Sequence, residues 1–289
     1  MLALWAIFLL SALIISWALD IDSRLAVSGE STRMLKAEAS ACSGAEVALH
    51  PLVNPGSPNL SGELDYGAKY EARLTGEAGR LDVNWLVAGE DPQKLEILRR
   101  FLENKGVDLN ERDTMADALL DWVSPDLGLH RLNAPPESDD YHPPHALLTQ
   151  IDELKKVAGW QEFTAVPGWD EDLTVNSRQG VDLAWASRDV LLALPGMTPD
   201  IVDRFLQLRR GPDGIDGTED DLQFKSMSEV WPALGLNQQQ AKQIETFVTF
   251  KSPIFRVTSV GTAGKAKRTV QMVFRRVGTM PQLITWKEY

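Results

Sequence analysis

From Met1 to Leu19 the chain reads "MLALWAIFLLSALIISWAL" and carries no charge. At about 1.5 Å per helical residue this run is about 28 Å long, close to the thickness of a hydrocarbon core. No basic residue precedes it and no small-x-small site closes it, since it ends in "SWALDID". The pattern therefore predicts one membrane span rather than a cleaved secretory signal. From Asp20 to about Leu49 the residues stay helical in character. Leu25, Ser28/Gly29, Met34/Leu35, Ala39, Cys42 and Val47 recur near helical spacing, and Pro51, Pro55 and Pro58 end the run. A single helix is expected to leave the membrane and continue as the spine of a water-exposed body.

Beyond the prolines the period changes. "YGAKYEARLTGEAGRLDVNWLV" alternates at Tyr66, Ala68, Tyr70 and Ala72 and predicts a strand pair with "TGEAG" as the turn. From Pro92 to about Phe250 the signals are helical: "DPQKLEILRRFLENKG", "NERDTMADALLDWV", "ALLTQIDELKKVAG", "SRDVLLALPG", "TPDIVDRFLQLRR", "SMSEVWPALG" and "NQQQAKQIETFVTF". The tail returns to strands at "IFRVTSVGTAG", "RTVQMVFRRVG" and "QLITWKEY". The predicted class is α+β, a long N-terminal helix packed on a small antiparallel sheet with a large helical insertion. The expected divisions are a transmembrane segment 1–19, a helix continuation 20–50, a first sheet part 51–90, a helical insertion 91–250 and a second sheet part 251–289.

Charge narrows the function. With a net charge of -12 over 289 residues, the surface is a poor default partner for phosphate backbones and suits proteins or cations better. The single cysteine, Cys42, excludes an internal disulfide and a Cys-rich zinc site.

The densest candidate chemistry is "RRGPDGIDGTEDDLQF", residues 209–224. Its acids miss the EF-hand spacing, yet Gly211, Gly214 and Gly217 let the loop fold tightly, and close carboxylates repel without a cation. Asp213, Asp216, Asp220 and Asp221, with the Thr218 hydroxyl, are the expected oxygen ligands of one calcium ion. "HRLNAPPESDDYHPPH" offers His130, His142 and His145 with Asp139 and Asp140, but Pro143 and Pro144 hold the histidines in extended chain, which favours a polar connector over zinc. "LLALPGMTPDIVDRFLQLRR" has the outline of a helix-hairpin-helix. Thr198 replaces a useful glycine, Pro199 has no N–H and Asp200 repels phosphate, so a compact two-helix unit turning at Gly196 is expected instead. Trp85, Trp122, Trp160, Trp169, Trp185, Trp231 and Trp286 read as core or contact residues. No catalytic or nucleotide-binding fingerprint is present.

Together the N-terminal "LALWAIFLLSALIISWALDIDSRL", then "GRLDVNWL", "ADALLDWVSPD", "LLTQIDELKKVAGW" and "VDLAWASRDVLLALPGMT" resemble, in order, the segments of the minor pseudopilin K family of type II secretion systems. The resemblance implies a pilin-like fold with a helical insertion and a non-enzymatic role without small-molecule substrate. It also implies an inner-membrane anchor with a periplasmic body, assembly with minor pseudopilins I and J at a pseudopilus tip, and calcium in the helical domain. Ordinary pseudopilins carry a glutamate early in the apolar helix; the acid-free run here is consistent with a tip subunit. The competing classes are a membrane-anchored DNA-uptake protein using the hairpin and an anchored metallohydrolase using His142 and His145.

Overall fold

The computed structural model describes residues 2–125, 131–222, 224–278 and 280–289, with the side chains of Leu2 and Tyr66 left undescribed. Helix α1 runs Leu2–Leu49 without a break, so Gly29 and Gly44 are both accommodated. It is long and apolar enough to cross a membrane, with a mean hydropathy of 2.1 in its most apolar stretch, none of which is buried. Strands β1 (Ser61–Glu63) and β2 (Lys69–Gly76) follow, paired antiparallel with Gly62 opposite Tyr70.

The predicted second strand of the 66–87 segment is a correction. Glu77–Gly79 forms a 3-10 turn, only Leu81–Asp82 is extended (β3), and Val83–Val87 is helix α2. The Asp82 carboxylate caps α2 through the Trp85 amide at 2.9 Å, which makes the local helix the better solution. β3 pairs instead, in parallel, with β4 (Leu173–Thr174).

Helices α3 (Pro92–Asn104) and α4 (Leu109–Val123) lie where the periodicity puts them. Asp91 caps α3 and Pro92 occupies its first turn. The predicted helix over "ALLTQIDELKKVAG" reduces to a 3-10 segment, Ile151–Lys156. There Glu153 draws in the Thr149 amide and hydroxyl and the Gln150 amide through one oxygen. A short α5 (Gln161–Ala165) follows. Strand β5 (Val181–Asp182) precedes α6 (Arg188–Ala193), α7 (Pro199–Arg209), α8 (Met227–Leu234) and α9 (Gln238–Ile244). The end of the segment expected to be one helix, Val248–Thr249, is β6, paired in parallel with β5. Strands β7 (Ile254–Ala263), β8 (Ala266–Val277) and β9 (Met280–Glu288) complete an antiparallel sheet in the order β1-β2-β7-β8-β9.

The chain forms two compact units. The first holds 1–74, 257–272 and 285–289, so it contains α1 and parts of the large sheet; the second holds 75–256 and 273–284. The core of the second is built from Ile97, Leu98, Phe101 and Leu102 of α3, Met115 and Leu119 of α4, Val190 and Leu191 of α6, and Val202 and Phe205 of α7, all essentially unexposed. Trp160 is fully buried there and donates its indole N–H to the Met115 carbonyl at 3.0 Å, the partner a buried tryptophan requires. Trp122 is buried as well, Trp85, Trp169 and Trp231 pack against the same core, and Trp286 is exposed.

Candidate assembly helix and acidic loop

In the first unit, α1 meets the sheet along a face made only of small residues. Ala37, Ser40, Ala41, Gly44, Ala45 and Ala48 are buried, the i, i+3, i+4, i+7 series of one helical face. A side chain at Gly261 of β7 would collide with the Ala37 carbonyl oxygen and the Ala41 amide, and one at Gly44 would collide with Ser259 and with Tyr70. The sheet backbone therefore lies directly on the helix backbone. Of the residues whose spacing marked the helix, Ala39 is exposed and Cys42 and Val47 are half-buried. Size, not hydrophobicity, marks the packed face. Burial pushes the Cys42 thiol up, helped by Glu288, Glu38 and Glu46, so the cysteine is a poor nucleophile. The N-terminal part of α1 exposes Leu4, Ile7, Phe8, Leu13 and Ile15.

The acidic loop of the second unit follows α7, and its carboxylates are spent largely on the loop itself. Asp216 lies between two arginines: one oxygen accepts from Arg209 Nε at 3.0 Å and Nη2 at 2.7 Å, the other from Arg210 Nε at 2.9 Å. Arg209 is almost fully buried and also donates to the Leu183 and Ala186 carbonyls, so Asp216 neutralises a charge that would otherwise be costly there. Asp213 accepts from the Ile215 amide at 2.7 Å. Asp220 accepts from the Asp213 amide at 3.1 Å and the Thr218 hydroxyl at 2.7 Å. Asp221 accepts from the Gly217 amide at 2.6 Å, and its second oxygen is buried with no hydrogen-bond partner. The five expected ligands are thus brought into one loop, but among the described residues no three acids or histidines converge as a cation site. The orphaned Asp221 oxygen fits a cation; the arginine-bound Asp216 does not.

The hairpin is a two-helix unit. Gly196 takes a φ of 73° at the turn, and the Thr198 hydroxyl caps α7 through the Ile201 amide. Its basic residues are engaged: Arg188 donates twice to Asp203, at 2.6 and 3.1 Å, and Arg204 to the Asp200 carbonyl. In the histidine segment, His145 bridges the Ser124 carbonyl at 2.9 Å and Glu137 at 3.0 Å. His142 lies 3.9 Å from the other Glu137 oxygen. Asp139 and Asp140 are exposed, and His130 lies outside the described residues. This geometry ties the connector to the end of α4.

One feature escaped sequence reasoning. Glu77, with no exposed surface, accepts from Arg256 on both oxygens, at 2.7 and 2.8 Å, from Thr174 at 2.5 Å and from Arg80 at 3.4 Å. Asp82 is also buried and accepts from the Ser177 amide and hydroxyl and the Arg178 amide, while Asp182 accepts from the Ser252 and Ala184 amides. Burial pushes both aspartates up despite these bonds. A charged residue inside an otherwise apolar, turn-like stretch was the only trace these left in the sequence.

No curated protein matches the chain. A family model for type II secretion system protein K matches residues 79–208. Among solved structures, the chain is similar to one in the GspK-GspI-GspJ complex from the enterotoxigenic Escherichia coli type 2 secretion system. The TM-score is 0.64 and the identity 15%, covering 92% of this chain and 99% of that one. At that identity the likeness establishes the fold, and the segment 79–208 supplies the kinship. Residues 79–208 thus match the type II secretion system protein K family, the minor pseudopilin K family that the sequence resembles, and the whole chain has the fold of a subunit of that complex.

Proposed function

We propose that this protein is a non-enzymatic minor pseudopilin that sits at the tip of the type II pseudopilus, assembles there with the I- and J-type minor pseudopilins, and supports export of folded proteins from the periplasm. The observation that carries the reading is fold similarity over 92% of the chain to a subunit of a complex named for the K, I and J proteins. The exposed, uncharged start of α1 supports a single inner-membrane span with a periplasmic body. The engaged arginines of the hairpin and the net charge of -12 argue against nucleic acid as a partner. Co-expression of the full chain with the I- and J-type proteins of its own operon tests the reading. Co-purification in a defined ratio is expected, and a K-type chain that purifies alone would overturn it.

Calcium is part of this proposal. Asp213, Asp220 and Asp221, with the Thr218 hydroxyl, would hold the ion, which would supply positive charge to the unpartnered Asp221 oxygen. Asp216 would stay with its arginines.

A further inference from the structure

The first unit has a basic end, and the register along α1 says which end it is. Ser259 faces Gly44, Gly261 faces Ala37 and Ala41, and Gly264 faces the Arg33 side chain. β7 therefore descends α1 toward its apolar N-terminal part, and the turn at Gly264–Lys265 is the sheet's nearest approach to that part. Arg268 confirms the level by contacting the Met34 sulfur at 3.6 Å. Tyr289 exchanges both main-chain bonds with Thr269, at 3.2 and 2.9 Å, which brings the exposed Tyr289 side chain and Lys287 toward the same end. Lys265 and Lys267 are exposed, and no acid lies between 257 and 272 in a chain of net charge -12. Of the acids nearby, Glu30 is paired with Arg33 at 2.7 Å, Asp20 with Arg24 at 2.9 Å and Glu63 with Lys69 at 3.4 Å; Glu38 and Glu288 lie by Cys42, farther up the helix, and Asp22 and Asp65 are exposed acids set against Lys265, Lys267, Arg268 and Lys287.

We propose that this tip docks on the anionic headgroups of the bilayer that α1 enters. The inference rests on α1 being a membrane span. Basic side chains with an aromatic neighbour suit an anionic lipid surface, and the surface is reached through the same helix. The distance is consistent. Arg33 lies fourteen residues beyond Leu19, about 21 Å along the axis at about 1.5 Å per residue, and the headgroup layer is about 5–7 Å thick. With its lysines extended, the tip of an upright helix stands about one Debye length, about 8 Å, above the headgroups. A tilt toward the sheet side, within the range of about 0–40° found for spanning helices, closes that gap. Docking thus leans the body onto the membrane before the subunit is extracted into a filament.

The test uses the full chain in nanodiscs of phosphatidylcholine alone or with phosphatidylglycerol, read by hydrogen exchange over 262–268. The expected result is exchange slowed several-fold in the anionic discs, reversed by high salt and absent in the Lys265→Glu/Lys267→Glu variant, whose exposed positions leave the fold intact. Equal exchange in both bilayers would overturn the proposal. So would protection that ignores the lipid and arises only when an acidic partner pseudopilin is added. Failure of the chain to incorporate into discs would overturn the span itself, a result distinct from incorporation with equal exchange.

Discussion

Arg256 lays two guanidinium N–H groups on the two carboxylate oxygens of Glu77, a residue 179 positions away in the chain, in a site where Glu77 has no exposed surface. Burial alone would raise the Glu77 carboxyl; the charges of Arg256 and Arg80 outweigh it and hold the group below the usual carboxylate range. The pair locks the 3-10 turn after β2 to the start of β7.

The first prediction concerns that pair. Because the folded pKa is depressed, its contribution is fully present above the unfolded value of about 4.3 and is lost as pH falls through the lower folded value. Stability should therefore drop below about pH 4 more steeply in wild type than in Glu77→Leu/Arg256→Met. Arg256→Met alone leaves a buried unpaired anion and should cost about 3–5 kcal/mol at neutral pH, with much of that recovered in the double variant. Denaturant titrations across pH check both. Equal losses in the single and double variants would refute the account.

Gly261 and Ala45 test the helix–sheet contact. Gly261→Val must push the Ala37 main chain away and should destabilise by about 1–3 kcal/mol or more; Ala45→Arg, at a position with no exposure, should do the same. Ala39→Arg, on the exposed face, should leave the melting temperature unchanged. Thermal melts of the three variants separate the packed face from the free one.

Chelation addresses the acidic loop. Free calcium at about 100 times its dissociation constant would stabilise the folded state by about 2.7 kcal/mol, several degrees in melting temperature. Asp220→Asn/Asp221→Asn should abolish most of that shift. Asp216→Asn is the control: it strips the buried Arg209 of its counter-charge and should lower stability equally with calcium or chelator. Identical melts of wild type in calcium and in chelator would leave the loop a solvated turn.

Nucleic acid provides a negative prediction. With Arg188 held by Asp203 and Arg204 turned onto Asp200, the hairpin presents no free basic row to a duplex. No salt-dependent gel shift is expected at low micromolar protein; a clear one would revive the uptake reading.

Topology offers another check. Protease added to spheroplasts should digest the body beyond Asp20 and spare the apolar run, whereas complete protection would place the body on the other side of the membrane.

By itself the sequence determined the elements whose signals are local and long. The uncharged run to Leu19 and the helical residues to Leu49 became one helix, α3, α4 and α7 followed their 3.6-residue periods and caps, and the three C-terminal strands followed their alternation. Local pattern sufficed because each of these is long enough for its period, caps or unbroken apolar run to show in the sequence. Tertiary structure decided the rest. Leu81 pairs with Leu173 in a strand too short to carry an alternation. Val83–Val87 became a helix because Asp82 caps it while also holding the Ser177 and Arg178 amides. Which helix face meets the sheet, that of Ala37, Ala41, Ala45 and Ala48, was decided by the opposing strand, which supplies Gly261 and allows backbone contact that only small residues permit. In the acidic loop the crowding of carboxylates was legible, but not that Asp216 would be drawn to a buried Arg209. Sequence distance hides which charge is taken out of water, and the cost of leaving it unpaired is what fixes the partner.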